Sequence, residues 1–287
     1  MIKTNFHTHS IFCDGNNKIE ELAQVAIQKG FSHLGFSSHS MYPFASTWHV
    51  SPKQIEQYCN EVRQISDKYS DKISILLGFE ADYANPLSKP SFEVYKKFSP
   101  DFLIGSVHYV FTKNGRLAVD YSAEKLAQKI KELFNGNTKK LVCEYFYLQR
   151  EMLLNSDFTI IGHPDLIRKN NAKLNLFNEN ETWYRKEIKA TAKAIAKAGV
   201  IAEINTGAIA RKTMNDVYPS LEFLSLLREY NVPITINSDC HNASDLDTGF
   251  KTARQAAIKA GYKEAAYLAC SNKKTEVHFQ KICELPF

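Results

Sequence analysis

Six of the nine histidines in the chain follow short strand-like runs, and most have a carboxylate or a second histidine close by. His7 and His9 follow the run 2–6, and Asp239 and His241 follow a later one. In each pair the residues are two positions apart, so in an extended segment both side chains point to the same side. Imidazole and carboxylate are the groups that bind zinc, manganese and iron in proteins. The pattern predicts one multi-metal site.

Further candidate ligands stand singly at the ends of other strand-like runs, and one aspartate follows the first histidine pair. A lone histidine in such a position is more often a hydrogen-bonded core residue than a ligand. Nine candidates at matching positions favour metal binding over that alternative. The candidate ligands are His7, His9, Asp14, His39, Glu80, His108, His163, Asp239 and His241. Of the other histidines, His33 and His278 are predicted to be structural or on the surface, and His49 is a pocket-rim residue of undecided role.

Seven apolar runs of strand length alternate with helical patterns along the chain. Their enrichment in Ile, Val, Leu and Phe is typical of parallel strands that are buried on both faces. The predicted strands are 2–7, 33–37, 73–80, 102–108, 158–163, 200–205 and 234–238. A closed seven-stranded α/β barrel accounts for the ligands better than an open sheet, because the loops after its strands converge at one end. We expect a single domain over residues 1–287.

Residues typical of helix ends support this architecture. Ser51-Pro52 is expected to begin a helix, with serine as the N-cap and proline in the first turn. Ser122 is expected to cap another helix, which ends before Gly136.

The composition is that of an ordinary globular protein, with 44% apolar and 23% charged residues. A net charge of +5 without a dense basic run gives no reason to expect nucleic-acid binding. The sequence has no signal-like start and no run long enough to cross a bilayer, so we expect a cytoplasmic protein without membrane contact. Its six cysteines form no CxxC pair and are expected to be reduced. Cys13 and Cys240 stand beside Asp14 and Asp239, but we interpret both as semi-buried core residues rather than ligands.

Several segments together resemble the PHP (polymerase and histidinol phosphatase) superfamily and, within it, the monofunctional histidinol-phosphatase family. The resemblance extends from His7 to His241 and includes Asn205-Thr206-Gly207 after the sixth strand. The segments are His7-Thr-His9-Ser10, Cys13-Asp14-Gly15, Ser38-His39, Gly78-Phe79-Glu80, Gly105-Ser106-Val107-His108, Gly162-His163 and Ser238-Asp239-x-His241.

The resemblance implies a distorted, TIM-like (β/α)7 barrel with three divalent ions, which are zinc, manganese or iron. It also implies hydrolysis of L-histidinol phosphate, a small phosphorylated substrate of histidine biosynthesis, by a metal-bound hydroxide. Many members of the superfamily have histidine where this chain has Asp14, so the third metal site is expected to differ in affinity or preference. The implied partition gives His7, His9, Glu80 and Asp239 to one ion, Glu80, His108 and His163 to a second, and Asp14, His39 and His241 to a third.

Arginine forks suit phosphate oxygens because two parallel hydrogen bonds form at once. Arg168 follows His163, and Arg211 lies in the loop after the sixth strand, so both are predicted to bind the substrate. Arg116, in a turn-like segment after His108, is a weaker candidate, and the alternative for each arginine is a solvated loop residue. Asp165 either protonates the leaving group or orients the substrate amine, or else caps the segment that follows it.

Aromatic residues in the loops after strands have two interpretations, stacking on the substrate imidazole or ordinary packing. They are Tyr42, Phe44, Trp48 and Tyr109. Two other functions stay open: a phosphoesterase of the same superfamily that acts on phosphotyrosine or nucleotides, and a non-catalytic metal-binding barrel.

Overall fold

The computed structural model of the chain describes residues 2–40, 46–271 and 274–287. Its centre is a sheet of seven parallel strands, in which each strand pairs with the next one along the chain. The strands are β1 (Thr4–Asn5), β2 (His33–Phe36), β3 (Ser74–Asp82), β4 (Phe102–Ser106), β5 (Ile160–Ile161), β6 (Ile201–Asn205) and β7 (Ile234–Asn237). All seven predicted strands are confirmed, although β1 and β5 are shorter than predicted.

The first and last strands meet and nearly close the sheet into a barrel. Thr8, just after β1, forms a parallel bridge with Cys240, and the N–H of His9 donates to the carbonyl oxygen of Cys240 at 3.0 Å. Nearby, the side-chain oxygen of Asn237 accepts a hydrogen bond from the N–H of Phe6 at 2.8 Å. The predicted α/β barrel is therefore confirmed, and the carboxyl ends of its strands face one end of the molecule.

Helices connect the strands and cover the outside of the barrel. They are α1 (Ile19–Gln28), α2 (Ile55–Lys68), α3 (Phe92–Tyr95), α4 (Ala123–Phe134), α5 (Thr138–Asn155), α6 (Asn171–Leu174), α7 (Thr182–Ala198), α8 (Gly207–Ala210), α9 (Leu221–Glu229) and α10 (Phe250–Lys259). The Ser122 cap is confirmed, since its hydroxyl accepts the N–H of Lys125 at 3.4 Å. The helix expected to begin at Ser51-Pro52 begins instead at Ile55, after a turn.

Two antiparallel hairpins extend the barrel and were not predicted. The site hairpin pairs Tyr109–Thr112 with Gly115–Ala118, directly after β4. The C-terminal hairpin pairs Glu264–Ser271 with Lys274–Lys281 and lies below the barrel. The strands of both hairpins mix polar and apolar residues without a clear period in the sequence.

A second apolar cluster fills the interior of the barrel below the strand ends. Its members are Phe6, Leu76, Phe102, Ile104, Ile160, Ile201, Ala266 and Leu268, the last two from the C-terminal hairpin. Phe102 is fully buried, and its ring occupies the space that side chains at Gly35 and Gly78 would need. A Cβ atom on Gly35 would lie 2.7 Å from that ring. The cluster forms a packed floor beneath the predicted site.

No disulfide joins the six cysteines, all of which lie in the described part of the chain. Within residues 2–40, 46–271 and 274–287, no helix combines the length and the apolar character that crossing a bilayer requires.

Replacing Phe102 by alanine should leave a cavity in the barrel floor, because the surrounding strands cannot move inward to fill it. We expect the free energy of unfolding in urea to fall by about 3–5 kcal/mol. Phe279→Ala is the matched control, because that ring is 54% exposed, and its effect should stay within about 0.5 kcal/mol. Equal losses for the two variants would contradict the packed floor.

Candidate metal centre

All nine predicted ligands converge at the carboxyl end of the barrel. Their nitrogen and oxygen atoms form four overlapping groups, and within each group they lie within 4.8 Å of one another. The groups are His9, Asp14, His39 and His241; His7, His9 and Asp239; His7, Glu80 and His163; and His39, Glu80 and His108. No cysteine belongs to a group of this kind among the described residues. The structure thus brings the whole predicted set together, while the partition among ions stays a prediction.

Glu80, on β3, is the centre of this arrangement. Its carboxylate is fully buried. One oxygen lies 2.8 Å from Nε2 of His163 and 3.4 Å from Nε2 of His108. The other lies 2.9 Å from Nδ1 of His39 and 3.1 Å from Nε2 of His7. Burial alone raises the pKa of Glu80, but the surrounding imidazoles outweigh burial and hold the pKa well below its usual value.

Two aspartates extend the cluster toward solvent. Asp239 Oδ1 lies 3.2 Å from Nε2 of His9, and Asp14 Oδ2 lies 3.2 Å from Nε2 of His241. Burial, reinforced by the neighbouring His241 and His39, lowers the pKa of His9 to about 3. His9 is therefore neutral at physiological pH, which is the form of imidazole that coordinates metals.

The site offers nitrogen and oxygen atoms that can bind divalent ions, and several of these atoms have no other partner in the described part of the chain. Nε2 of His7, Nε2 of His9, Oδ1 of Asp14 and Oε2 of Glu80 are buried, and among the described residues none of these atoms has a well-oriented hydrogen-bond partner. Buried polar atoms normally form hydrogen bonds. Four such atoms without a partner, all in one cluster, therefore indicate that they bind something else, such as a metal ion. Metal ions would use these nitrogen and oxygen atoms, and the residues therefore fit such ions.

Two buried carboxylates behind the ligands fix the orientation of the imidazoles. Glu203 on β6 lies 2.7 Å from Nδ1 of His7, and Asp82 on β3 lies 2.8 Å from Nδ1 of His108. A proton held on Nδ1 by each carboxylate leaves the lone pair of Nε2 directed at the cluster.

Neither carboxylate was predicted from the sequence. Asp82 comes two positions after Glu80 on the same strand and so shares its face, which is a usable signal. A glutamate inside the apolar run of β6 was the signal for Glu203.

The backbone is strained at two of the ligands. His163 has a φ of 25° and Asp239 a φ of 51°, values that cost residues other than glycine about 1–3 kcal/mol each. The N–H of His163 donates to Glu203 at 2.9 Å, and Arg211 donates to the carbonyl oxygen of Asp239 at 2.9 Å. These bonds hold both residues in the conformation that the cluster needs.

The other three histidines, His33, His49 and His278, belong to none of the four ligand groups among the described residues. His49 is buried rather than on the rim, with its Nε2 3.6 Å from Asp82, and burial is the main reason that its pKa falls to about 4. His33 begins β2 and contacts Tyr267, while His278 lies on the C-terminal hairpin with its side chain 44% exposed. These positions agree with the prediction that His33 and His278 are structural or on the surface.

A cavity of about 450 Å³ opens above the cluster. It is lined by Asp14, His39, Trp48, Glu80, His108, Ala118, Asp120, Tyr121, Ser122, His163, Leu166, Lys169, Arg211, Asp239 and His241. A larger groove, about 900 Å³, lies beside the C-terminal hairpin and contains none of these residues. We locate the chemistry in the smaller cavity, because only that one contains ligand atoms.

Of the three predicted arginines, only Arg211 lines the cavity, and it donates to Oδ2 of Asp239 at 2.8 Å. Arg168 points elsewhere: its guanidinium donates to Glu179 at 2.8 Å and to Asp216 at 3.0 Å. Arg116 is exposed on the site hairpin, 5.9 Å from the ring of Tyr109. The next residue after Arg168, Lys169, lines the cavity instead and was missed in the sequence.

Asp165 is fully buried and does not line the cavity. Its carboxylate accepts the N–H of Ser220 at 2.8 Å and makes no capping bond to the turn that follows it. Burial raises its pKa to about 6, although Arg168 acts in the opposite direction. Its position joins two loops, which matches neither the catalytic nor the capping role expected from the sequence.

Two of the predicted aromatic residues lie at the site. Trp48 lines the cavity, its ring edge-on to His39 at 4.6 Å, and Tyr109 stacks on Trp48 at 5.7 Å. Tyr42 and Phe44 lie outside the described residues.

The model of the PHP domain matches residues 5–207 of the chain. The chain belongs to the PHP domain family. One relative is the "Probable histidinol-phosphatase" of Schizosaccharomyces pombe, 31% identical over 275 residues, with 89% of this chain and 86% of the relative covered. Another is the histidinol-phosphatase of Bacillus subtilis, 24% identical over 268 residues, with 88% and 98% covered.

Solved structures share this PHP fold. HisK of Listeria monocytogenes has a TM-score of 0.74 at 21% identity, with 87% of this chain and 99% of that one covered. The histidinol phosphate phosphatase of Lactococcus lactis, complexed with zinc, L-histidinol and phosphate, has a TM-score of 0.68 at 20% identity, with 96% and 98% covered. These likenesses support the predicted barrel.

Glu203→Gln should weaken metal binding, because the neutral amide no longer holds the Nδ1 proton of His7. We expect the zinc dissociation constant, measured by competition with a chromophoric chelator, to rise about 10- to 100-fold. Glu276→Gln, an exposed residue of the C-terminal hairpin, is the matched control and should leave the zinc dissociation constant unchanged. Wild-type affinity in the Glu203 variant would mean that this carboxylate does not orient the ligand.

Proposed function

We propose that the chain is a metal-dependent phosphomonoesterase that hydrolyses L-histidinol phosphate to L-histidinol and phosphate. The observation that carries the proposal is the convergence of six imidazoles and two aspartates around Glu80, at the base of a cavity lined by Arg211 and Lys169. The names of the relatives support the substrate. The reaction belongs to histidine biosynthesis. We also propose that the protein is cytoplasmic.

The nine ligand residues would hold three divalent ions, which are zinc, manganese or iron. When bound, such ions supply a water that loses its proton near neutral pH and positive charge to attract phosphate oxygens. Three such ions would carry six positive charges, and Asp14, Glu80 and Asp239 return three negative ones. The site is therefore a strong attractor for a phosphate dianion.

The side chains of the cavity wall position the substrate. Arg211 is held against Asp239 by two hydrogen bonds, so its guanidinium is already fixed when the phosphate arrives. Lys169 donates to the carbonyl oxygen of Asp120 at 2.8 Å, which holds its ammonium group in the lining of the cavity. Trp48, backed by Tyr109, offers an aromatic face for the imidazole of the substrate.

The substrate is tested by measuring phosphate release from histidinol phosphate, phosphotyrosine, AMP and glucose 6-phosphate with metal-loaded protein. We expect kcat/KM for histidinol phosphate to exceed the others by at least about tenfold. Equal values would contradict the specific assignment, and no turnover of any ester would favour a non-catalytic barrel.

Removal of the metals should abolish activity and lower the melting temperature, because ions that bind only the folded state stabilise it. Dialysis against a chelator, followed by activity and calorimetric measurements, checks both effects, and added zinc or manganese should restore them. Full activity in protein shown by elemental analysis to be metal-free would rule out the proposed chemistry.

Substitutions of Arg211 and Arg168 should affect different properties, namely activity for Arg211 and stability for Arg168. Arg211→Gln removes a charged donor from the cavity and weakens the two bonds that hold Asp239, so kcat/KM should fall about 10- to 100-fold. Arg168→Gln leaves buried Asp165 without its cation, so the free energy of unfolding should fall by about 3 kcal/mol. Steady-state kinetics and urea titration of both variants provide the comparison. Wild-type kinetics for Arg211→Gln would remove that residue from the substrate site.

A further inference from the structure

One carboxylate in the cavity has no place in the metal centre. Four carboxylates line the described part of the cavity, and three of them, Asp14, Glu80 and Asp239, belong to the ligand groups. The fourth is Asp120, which stands between the site hairpin and α4. A negative charge there repels an incoming phosphate, so its presence calls for a compensating role.

The backbone around Asp120 is fixed, while its carboxylate faces the open cavity. Lys169 donates to the carbonyl oxygen of Asp120 at 2.8 Å, and the side chain of Asn170 donates to the carbonyl oxygen of Tyr121 at 2.8 Å. The Asp120 side chain is 36% exposed, and its nearer oxygen lies 4.0 Å from Nζ of Lys169, beyond hydrogen-bond distance. The backbone of Asp120 is therefore held in place, and its carboxylate forms no hydrogen bond with Lys169.

The ester proposed as substrate carries a cation as well as the phosphate. Histidinol phosphate has an ammonium group on the carbon next to the ester-bearing carbon. With the phosphate at the metal cluster, that ammonium would extend from the ester toward the lining of the cavity, which includes Asp120. Asp120 supplies a negative charge there.

We propose that Asp120 binds the ammonium group of the substrate, so that the cavity selects phosphate monoesters with an amine next to the ester carbon. This inference rests on the proposed function and refines it. An amine-free ester would meet Asp120 as an uncompensated negative charge, whereas an amino ester would gain a charge-assisted hydrogen bond. The selectivity is set by this residue and not by the metal centre.

The test compares two substrates that differ only in the amine: histidinol phosphate and 3-(imidazol-4-yl)propyl phosphate. Asp120→Asn removes the charge and preserves the shape. Its matched control is Glu124→Gln, four positions further on, where the exposed carboxylate pairs with Lys173 at 2.8 Å. Metal content and melting temperature are measured for each protein, so that a loss of folding or of ions is detected separately.

We expect Asp120→Asn to lower kcat/KM for histidinol phosphate about 10- to 100-fold, mainly through KM, and to leave the amine-free ester unchanged or improved. Glu124→Gln should match the wild type with both substrates. Equal losses with both esters would mean that Asp120 acts by positioning Lys169, and no loss would mean that it contributes nothing; either result overturns the inference. Wild-type protein that fails to hydrolyse histidinol phosphate would overturn the proposed function itself, and the inference with it.

Discussion

The structure depends on burying the carboxylate of Glu80 at the end of a parallel barrel. An isolated carboxylate in that position is very costly, and proteins bury such charges only beside cations or metal ions. Imidazoles from the ends of different strands surround Glu80, and the neighbouring carboxylates, which outweigh burial, raise the pKa of His7, His39 and His108. Divalent ions that share these ligands would more than offset the three carboxylate charges. The barrel supplies what this arrangement needs, because it brings the ends of seven strands to one place.

The ligand side chains are held rigid by hydrogen bonds behind them and by apolar packing below them. Glu203 and Asp82 fix the proton positions of His7 and His108, while Phe102 and its apolar neighbours fill the barrel beneath. The ligand atoms are therefore held in position by contacts with the protein itself. Such positioning reduces the reorganisation that binding would otherwise require.

The sequence was sufficient to predict the strands and the convergence of the nine candidate ligands, because short apolar runs that repeatedly end in His, Asp or Glu are typical of a metal site at the end of a barrel. It was less informative about the walls of the cavity. Arg168 was predicted to face the substrate, but the tight turn Leu166–Arg168 directs consecutive side chains to different sides, so Lys169 lines the cavity instead. The conformation of the loop decides that Lys169 faces the cavity and Arg168 does not, and the sequence alone does not give that conformation. Glu203 was missed because a glutamate inside an apolar strand indicates a buried partner but does not show that the partner is His7.

The central claim is that Glu80 lies among bound divalent ions. Anomalous diffraction at the zinc absorption edge, from crystals of the protein grown with zinc, tests it most directly. We expect more than one anomalous peak in the cavity, at about 2.0–2.2 Å from the imidazole nitrogens and from the oxygens of Glu80. The absence of any peak within ligand distance of Glu80, in protein that otherwise binds zinc, would contradict the claim.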